Sequence, residues 1–271
     1  MNTLGKRVFT GVLFASAAFF LVYDSPYAVG IGAFFLSLIS LYECYRAAKV
    51  DRFYQQLGYG SNIFLFLAMF DKQRFSMRIP FSSFFLISSF IFILFFLCLS
   101  LILKIFKKLN FLSPFWISLG FLWISLPLSL AFYLRMMNHG FWWLFIGILA
   151  ASLYDTAAYF IGKGFGRHQA FPKISPGKTI EGTIGGIFIS LAAVFFLGKI
   201  LDLTLIQRLG LSLLLPFAAV GGDLVESLFK RKTGLKDSGA VLPGHGGVLD
   251  RVDSHLLAIP VIFFYRILLL R

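Results

Sequence analysis

Asp223, Glu226, Ser227 and Lys230 stand at i, i+3, i+4 and i+7 in a chain of 271 residues, a spacing that sets all four on one face of a helix. Asp250, Asp253 and Ser254 repeat the first three of these positions, and with Asp237 they bring five of the chain's 12 acidic residues between positions 223 and 253. Two carboxylate-bearing helix ends joined by one loop can converge on a cation. Carboxylates without a cysteine pair or a histidine cluster select a hard ion such as magnesium, which takes one or two carboxylates and completes its shell with water and phosphate oxygens. The spacing also accommodates interfacial salt bridges to Lys230, Arg231, Lys236 and Arg251.

The basic residues indicate what such an ion would hold. Lys163, Arg167, Lys173 and Lys178 fall in one loop, and Lys230, Arg231, Lys232 and Lys236 in another; clustered cations of this kind bind phosphate. Gly239, Gly244, Gly246 and Gly247 would let backbone N–H groups approach a phosphate closely. His245, in PGHGG, fits either a catalytic role or a turn residue bonding nearby backbone. Asp155, in LYDTAAYFIGK, lies where an unpaired carboxylate is expensive and is expected to line the same cavity. SPGKT at 175–179 ends like a P-loop, but Pro172 occupies the place of that motif's first glycine and no buried strand precedes it.

The elements that must position these residues are membrane helices. The chain is 58% hydrophobic and only 14% charged, with a mean hydropathy of +0.84, whereas soluble domains carry about 25% charged residues. Uncharged or nearly uncharged runs at 8–23, 25–42, 53–70, 81–103, 111–134, 136–154, 183–198, 209–222 and 254–265 predict an all-α polytopic protein with about nine transmembrane helices. Pro114 and Pro127 predict a kink or break in the fifth. With the N-terminus in the cytoplasm, 17 of the 25 basic residues fall in cytoplasmic segments, Asp71 to Pro80 being the exception.

The net charge of +13 then reflects this bias and attraction to anionic headgroups. It does not indicate nucleic acid, because the cations are dispersed among short loops and the aromatic residues are mostly Phe within apolar runs. Cys44 and Cys98 lack metal-type spacing and read as free buried thiols. His139, His168 and His255 read as surface or interfacial.

The two halves of the chain differ. Residues 1–140 read as scaffold helices carrying dimer contacts, and 141–271 as the catalytic region with cytoplasmic loops 163–182 and 230–251. Two spans separate those loops, so both emerge on one side of the membrane and can form one site.

The stretch Ser227 to Asp253, SLFKRKTGLKDSGAVLPGHGGVLDRVD, resembles the signature of the phosphatidate cytidylyltransferases, or CDP-diacylglycerol synthases. GDLVES at 222–227, ISPGKTIEG at 174–182 and DTAAYFIGK at 155–163 extend the resemblance, as do the early basic pair and, loosely, Glu43 at the end of the second span. It implies a bacterial-type inner-membrane homodimer that condenses CTP with phosphatidic acid at the cytoplasmic face, using magnesium and potassium as a second ion. Carried onto this chain, it makes Asp223 and Asp250 the metal ligands, with Asp253 and Asp237 close by. Lys236 and Arg251 would then hold phosphate oxygens. Lys178, Ser175, Lys230, Arg231, His245, Gly246, Gly247, Ser227 and Asp155 would line the substrates, and Arg167, His168 and Ser175 are candidates to read the cytosine. Two rivals remain at this point: a CTP-dependent lipid-alcohol kinase and a transporter of anionic solutes.

Overall fold

The computed structural model describes residues 22–70, 94, 98, 102, 112–235, 238–239 and 246–269. Helices are numbered within that set: α1 (Pro26–Ala47), α2 (Arg52–Phe70), α3 (Leu112–Gly120), α4 (Leu126–Met136), α5 (Gly140–Phe165), α6 (Ile180–Leu197), α7 (Leu205–Thr233) and α8 (Leu249–Leu269). Each expected span in the described residues coincides with one of these helices or, for the fifth, with α3 and α4 together. The first and fourth expected spans lie outside them except for residues 22, 23, 94, 98 and 102. Among the described residues, five helices are long and apolar enough to cross a membrane: Pro26–Ala47, Leu112–Met136, Gly140–Phe165, Ile180–Leu201 and Leu205–Thr233.

Local chemistry explains where the helices start and stop. Ser25 caps α1 by accepting the Tyr27 N–H, and Pro26 occupies the first turn, where its missing donor is harmless. Thr204 and Gln207 form a reciprocal capping box at the start of α7. Gly234 ends α7 at φ +73°, and Leu235 N–H bonds back to the Lys230 carbonyl.

The fifth span is bent into continuity rather than broken. Phe121–Ser125 forms a π-helical turn between α3 and α4, with Leu126 N–H reaching the Phe121 carbonyl. Pro127 removes a donor from the ladder, and the wider turn absorbs the mismatch.

Small residues let the helices approach closely, as membrane packing without a hydrophobic driving force requires. A Cβ on Gly182 would meet the Ala158 carbonyl oxygen at 2.6 Å, and one on Gly186 the Tyr154 carbonyl oxygen at 2.8 Å, so α5 and α6 touch backbone to backbone. Gly222 does the same between α7 and α8, where an added Cβ would run into the Asp253 carbonyl and lie 3.0 Å from Ser254 Cα.

The one departure from all-helical structure among the described residues is an antiparallel hairpin of β1 (Gln169–Phe171) and β2 (Ser175–Thr179). It occupies the loop between α5 and α6. The thiols differ from expectation: Cys44 is free and buried, whereas Cys98 is free and exposed. His255 is half-buried, with Nε2 3.2 Å from the Ser152 hydroxyl of α5.

Candidate active site

The expectation that the two loops combine is met by direct bonds. Arg231, in the last turn of α7, donates from Nε to the Ile174 carbonyl of the hairpin at 3.0 Å. Lys178, on β2, forms an ion pair with Asp223 on α7. Thr179 caps α6 by accepting the Gly182 N–H at 3.1 Å. Glu181 in the first turn accepts the Arg167 N–H at 3.1 Å and the His168 N–H at 3.3 Å, which folds the chain back before the hairpin.

Beneath the hairpin, one oxygen from each of Asp223, Glu226 and Asp253 lies within 4.8 Å of the others. Asp223 and Glu226 come from adjacent turns of α7, and Asp253 from the first turns of α8. The contact at Gly222 is what brings the two helices this close. Glu226 is fully buried and Asp253 is 9% exposed, so the group is largely removed from water.

Three like charges in so small a volume repel one another and demand cations. Lys230 Nζ lies 2.5 Å from Glu226 Oε2 and 2.9 Å from Asp250 Oδ1, and Lys178 neutralises Asp223. The Glu226 carboxylate is thus paired with Lys230, and among the described residues no further donor reaches it. A group of oxygen donors so spaced could hold a hard cation. Asp223, Glu226 and Asp253 are the residues spaced to hold it.

Asp250 stands next to this group, joined to it through Lys230. Its Oδ1 accepts from Lys230, and its Oδ2 accepts the Gly247 N–H at 2.9 Å and the Ser238 N–H at 3.1 Å. Those two N–H groups are thereby engaged by a carboxylate. Gly246 has φ +80°, a conformation that favours glycine, and carries the chain into α8.

Asp155 reaches the site from α5. Its Oδ1 accepts from the Ser254 hydroxyl at 3.0 Å, while Ser254 N–H bonds to Asp253 Oδ1 at 2.7 Å. Ser227 donates to Asp223 Oδ1 at 3.5 Å. Ser175 lies half-buried at the start of β2, and Arg251 is exposed in the first turn of α8. Arg167 and His168 line an open cavity of about 490 Å³ with Gly164, Phe165, Gly166 and Glu181. Lys236, Asp237 and His245 lie outside the described residues.

The structure therefore brings Asp223, Asp253, Asp250, Asp155, Ser227, Lys178 and Lys230 together at one end of the bundle, and sets Arg251 on its exposed rim. Spacing had set Glu226 on the carboxylate-bearing face that can converge on a cation, but the resemblance gave it no role; its signal was its position one turn after Asp223. Glu43 was equally easy to miss. A lone acid at the end of an apolar run is costly unless something receives it, and here the receivers are 195 and more positions away in sequence.

Residues 5–269 match the model of the cytidylyltransferase family. A phosphatidate cytidylyltransferase of Bacillus subtilis (strain 168) is 32% identical over 267 residues, covering 97% of this chain and 98% of that protein. One from Staphylococcus aureus (strain COL) is 44% identical over 135 residues, 48% of this chain and 51% of that protein. One from Haemophilus influenzae (strain Rd) is 39% identical over 146 residues, 52% of this chain and 51% of that protein. The matched region thus spans about half the length of the Staphylococcus and Haemophilus relatives and nearly all of the Bacillus one.

Proposed function

The chain belongs to the cytidylyltransferase family, and from that premise we propose that it is a phosphatidate cytidylyltransferase that joins CTP to phosphatidic acid, giving CDP-diacylglycerol and pyrophosphate. The observation that carries the reading is the interleaving of Asp223, Glu226 and Asp253 with Lys178 and Lys230 at a single point where α7, α8 and the hairpin meet.

The chemistry suits those residues. The phosphate oxygen of the lipid is already anionic, so it attacks the α-phosphorus of CTP without a strong general base. A new P–O bond forms there as the bond to the bridging oxygen breaks, and pyrophosphate leaves with that electron pair. What such a transfer needs is alignment and neutralisation of charge. Lys178 and Lys230 are paired with the carboxylates and would hold phosphate oxygens as charge moves toward the leaving group. Lys178 arrives on a hairpin pinned by Arg231, so its placement depends on that pin.

Magnesium, held by Asp223, Glu226 and Asp253, would supply positive charge to the phosphate oxygens when bound; potassium is a candidate second ion. Asp155 and Ser254 orient Asp253 through their linked hydrogen bonds. The same proposal sets the site at the cytoplasmic face of a bacterial inner membrane, with phosphatidic acid arriving from the bilayer and CTP from the aqueous side, in a homodimer.

The test uses purified protein in lipid–detergent micelles with magnesium, phosphatidic acid and CTP labelled either in cytidine or at the γ-phosphate. Cytidine label in the lipid fraction and γ label in pyrophosphate are expected. Release of CDP with label passing to a lipid alcohol would instead establish a kinase, and solute uptake into reconstituted vesicles without either product a transporter.

A further inference from the structure

Glu43 closes α1, far in sequence from the acids of α7 and α8, yet it is only 1% exposed. Its partners are donors at the start of α8. Oε1 accepts the Val248 N–H at 3.0 Å, and Oε2 accepts the Leu249 N–H at 2.9 Å and the Ser238 hydroxyl at 3.4 Å. The first N–H groups of a helix have no partner within it, and the N-terminus of its dipole favours an anion. Glu43 meets both needs from another helix.

The glycines of the signature fit around this carboxylate. A Cβ on Gly239 would run into it, and one on Gly247 would lie 2.8 Å from Glu43 Oε2 and against the Ser238 hydroxyl. Glycine is favoured at 239 by the close approach of Glu43, and at 247 by the Ser238 hydroxyl together with Glu43. Asp250 bonds the same two strands of chain from the other side, through the Ser238 and Gly247 N–H groups. Glu43 and Asp250 together clamp the chain before α8, and the orientation of that helix decides where Asp253 points.

We propose that Glu43 is a positioning residue for the transfer: its carboxylate holds the N-terminus of α8 and the Ser238–Gly239 segment in the register that presents Asp250 and Asp253 to α7. The inference rests on the reading of the Asp223–Glu226–Asp253 group as the reaction centre. It also gives the N-terminal half of the chain a direct part in the site.

Glu43→Gln keeps the size of the side chain but replaces an acceptor with an NH₂ that faces donors. At least one buried N–H then loses its partner, and the fraction of molecules with α8 in register falls. The expected result is a kcat lower by about tenfold to a hundredfold, with the KM for CTP within about twofold. Hydrogen exchange should accelerate at Val248 and Leu249 and stay slow along α7. Gly239→Ala displaces the carboxylate without removing it and should reproduce both changes; it carries the test if Glu43→Gln does not accumulate folded. Wild-type kcat in these variants, or undiminished protection at Val248 and Leu249, would overturn the proposal. Exchange that accelerates throughout α7 would do the same, because it would mean a general packing role. If no variant and no wild-type sample transfers cytidylyl groups, the proposed function fails, while the exchange measurement still decides whether Glu43 holds α8.

Discussion

Gly222→Ala offers a sharp test of the site geometry, because the perturbation is one methyl group and its neighbours are backbone. The added Cβ would collide with the Asp253 carbonyl oxygen and lie 3.0 Å from Ser254 Cα, where 3.4–4 Å is ordinary contact. Neither neighbour is a flexible side chain, so α7 and α8 must part by about 0.5 Å or more to restore normal contact distances. Overpacking of this kind costs about 1–3 kcal/mol. The displacement falls on Asp253 itself and on the residue before Asp223. Misplacement by about 1 Å can lower a rate by about a hundredfold, so turnover should fall by about tenfold to a hundredfold.

Gly221→Ala is the matched control. Its Cβ would meet only Leu257 Cδ1, at 3.3 Å, and a leucine methyl can rotate away. Cytidylyl transfer should be measured for both variants in the same membranes, with helix content followed by circular dichroism. Equal turnover in the two variants, or wild-type turnover in Gly222→Ala, would refute the idea that the close approach of α7 and α8 builds the carboxylate group.

Asp223→Asn, Glu226→Gln and Asp253→Asn should each abolish activity, at least a hundredfold by the rate assay, while the protein stays folded in membranes; near-normal turnover in any of them removes that residue from the proposed metal set. Removing divalent ions with a chelator should stop the transfer, and added magnesium should restore it where zinc does not, since the donors are all oxygen. Arg231→Ala should loosen the hairpin that carries Lys178; limited proteolysis within 169–179 should become faster and kcat should fall by about tenfold, the worth of one charged hydrogen bond of about 1.5 kcal/mol. Lys178→Ala should lower turnover further than Arg231→Ala does, because it removes the cation and not only its support.

Several features of this molecule are legible in the amino-acid sequence alone. The membrane class follows from charge-poor runs of span length, and each expected span in the described residues is helical. The i, i+3, i+4 stripes on α7 and α8 are local geometry, which sequence spacing determines because 3.6 residues complete a turn. That loops 163–182 and 230–251 share a side follows from counting the spans between them. Proline at 127 announces a disturbance in the fifth span, but only the structure decides that a π turn keeps it continuous.

The partners of the acids are not legible in that way, because they are set by how helices dock. The family resemblance paired Asp223 with Asp250; docking at Gly222 puts Glu226 and Asp253 beside Asp223, while Asp250 bonds Lys230 and two backbone N–H groups. The glycines of PGHGG and its surroundings read as phosphate contacts, yet Gly239 and Gly247 lie against Glu43. No local pattern could reveal that contact, since it joins the end of α1 to the start of α8. The sequence by itself determined which residues carry charge into the membrane and on which helix face they lie. Only the tertiary structure decided which of them meet, because a buried charge takes its partner from whatever element packs against it.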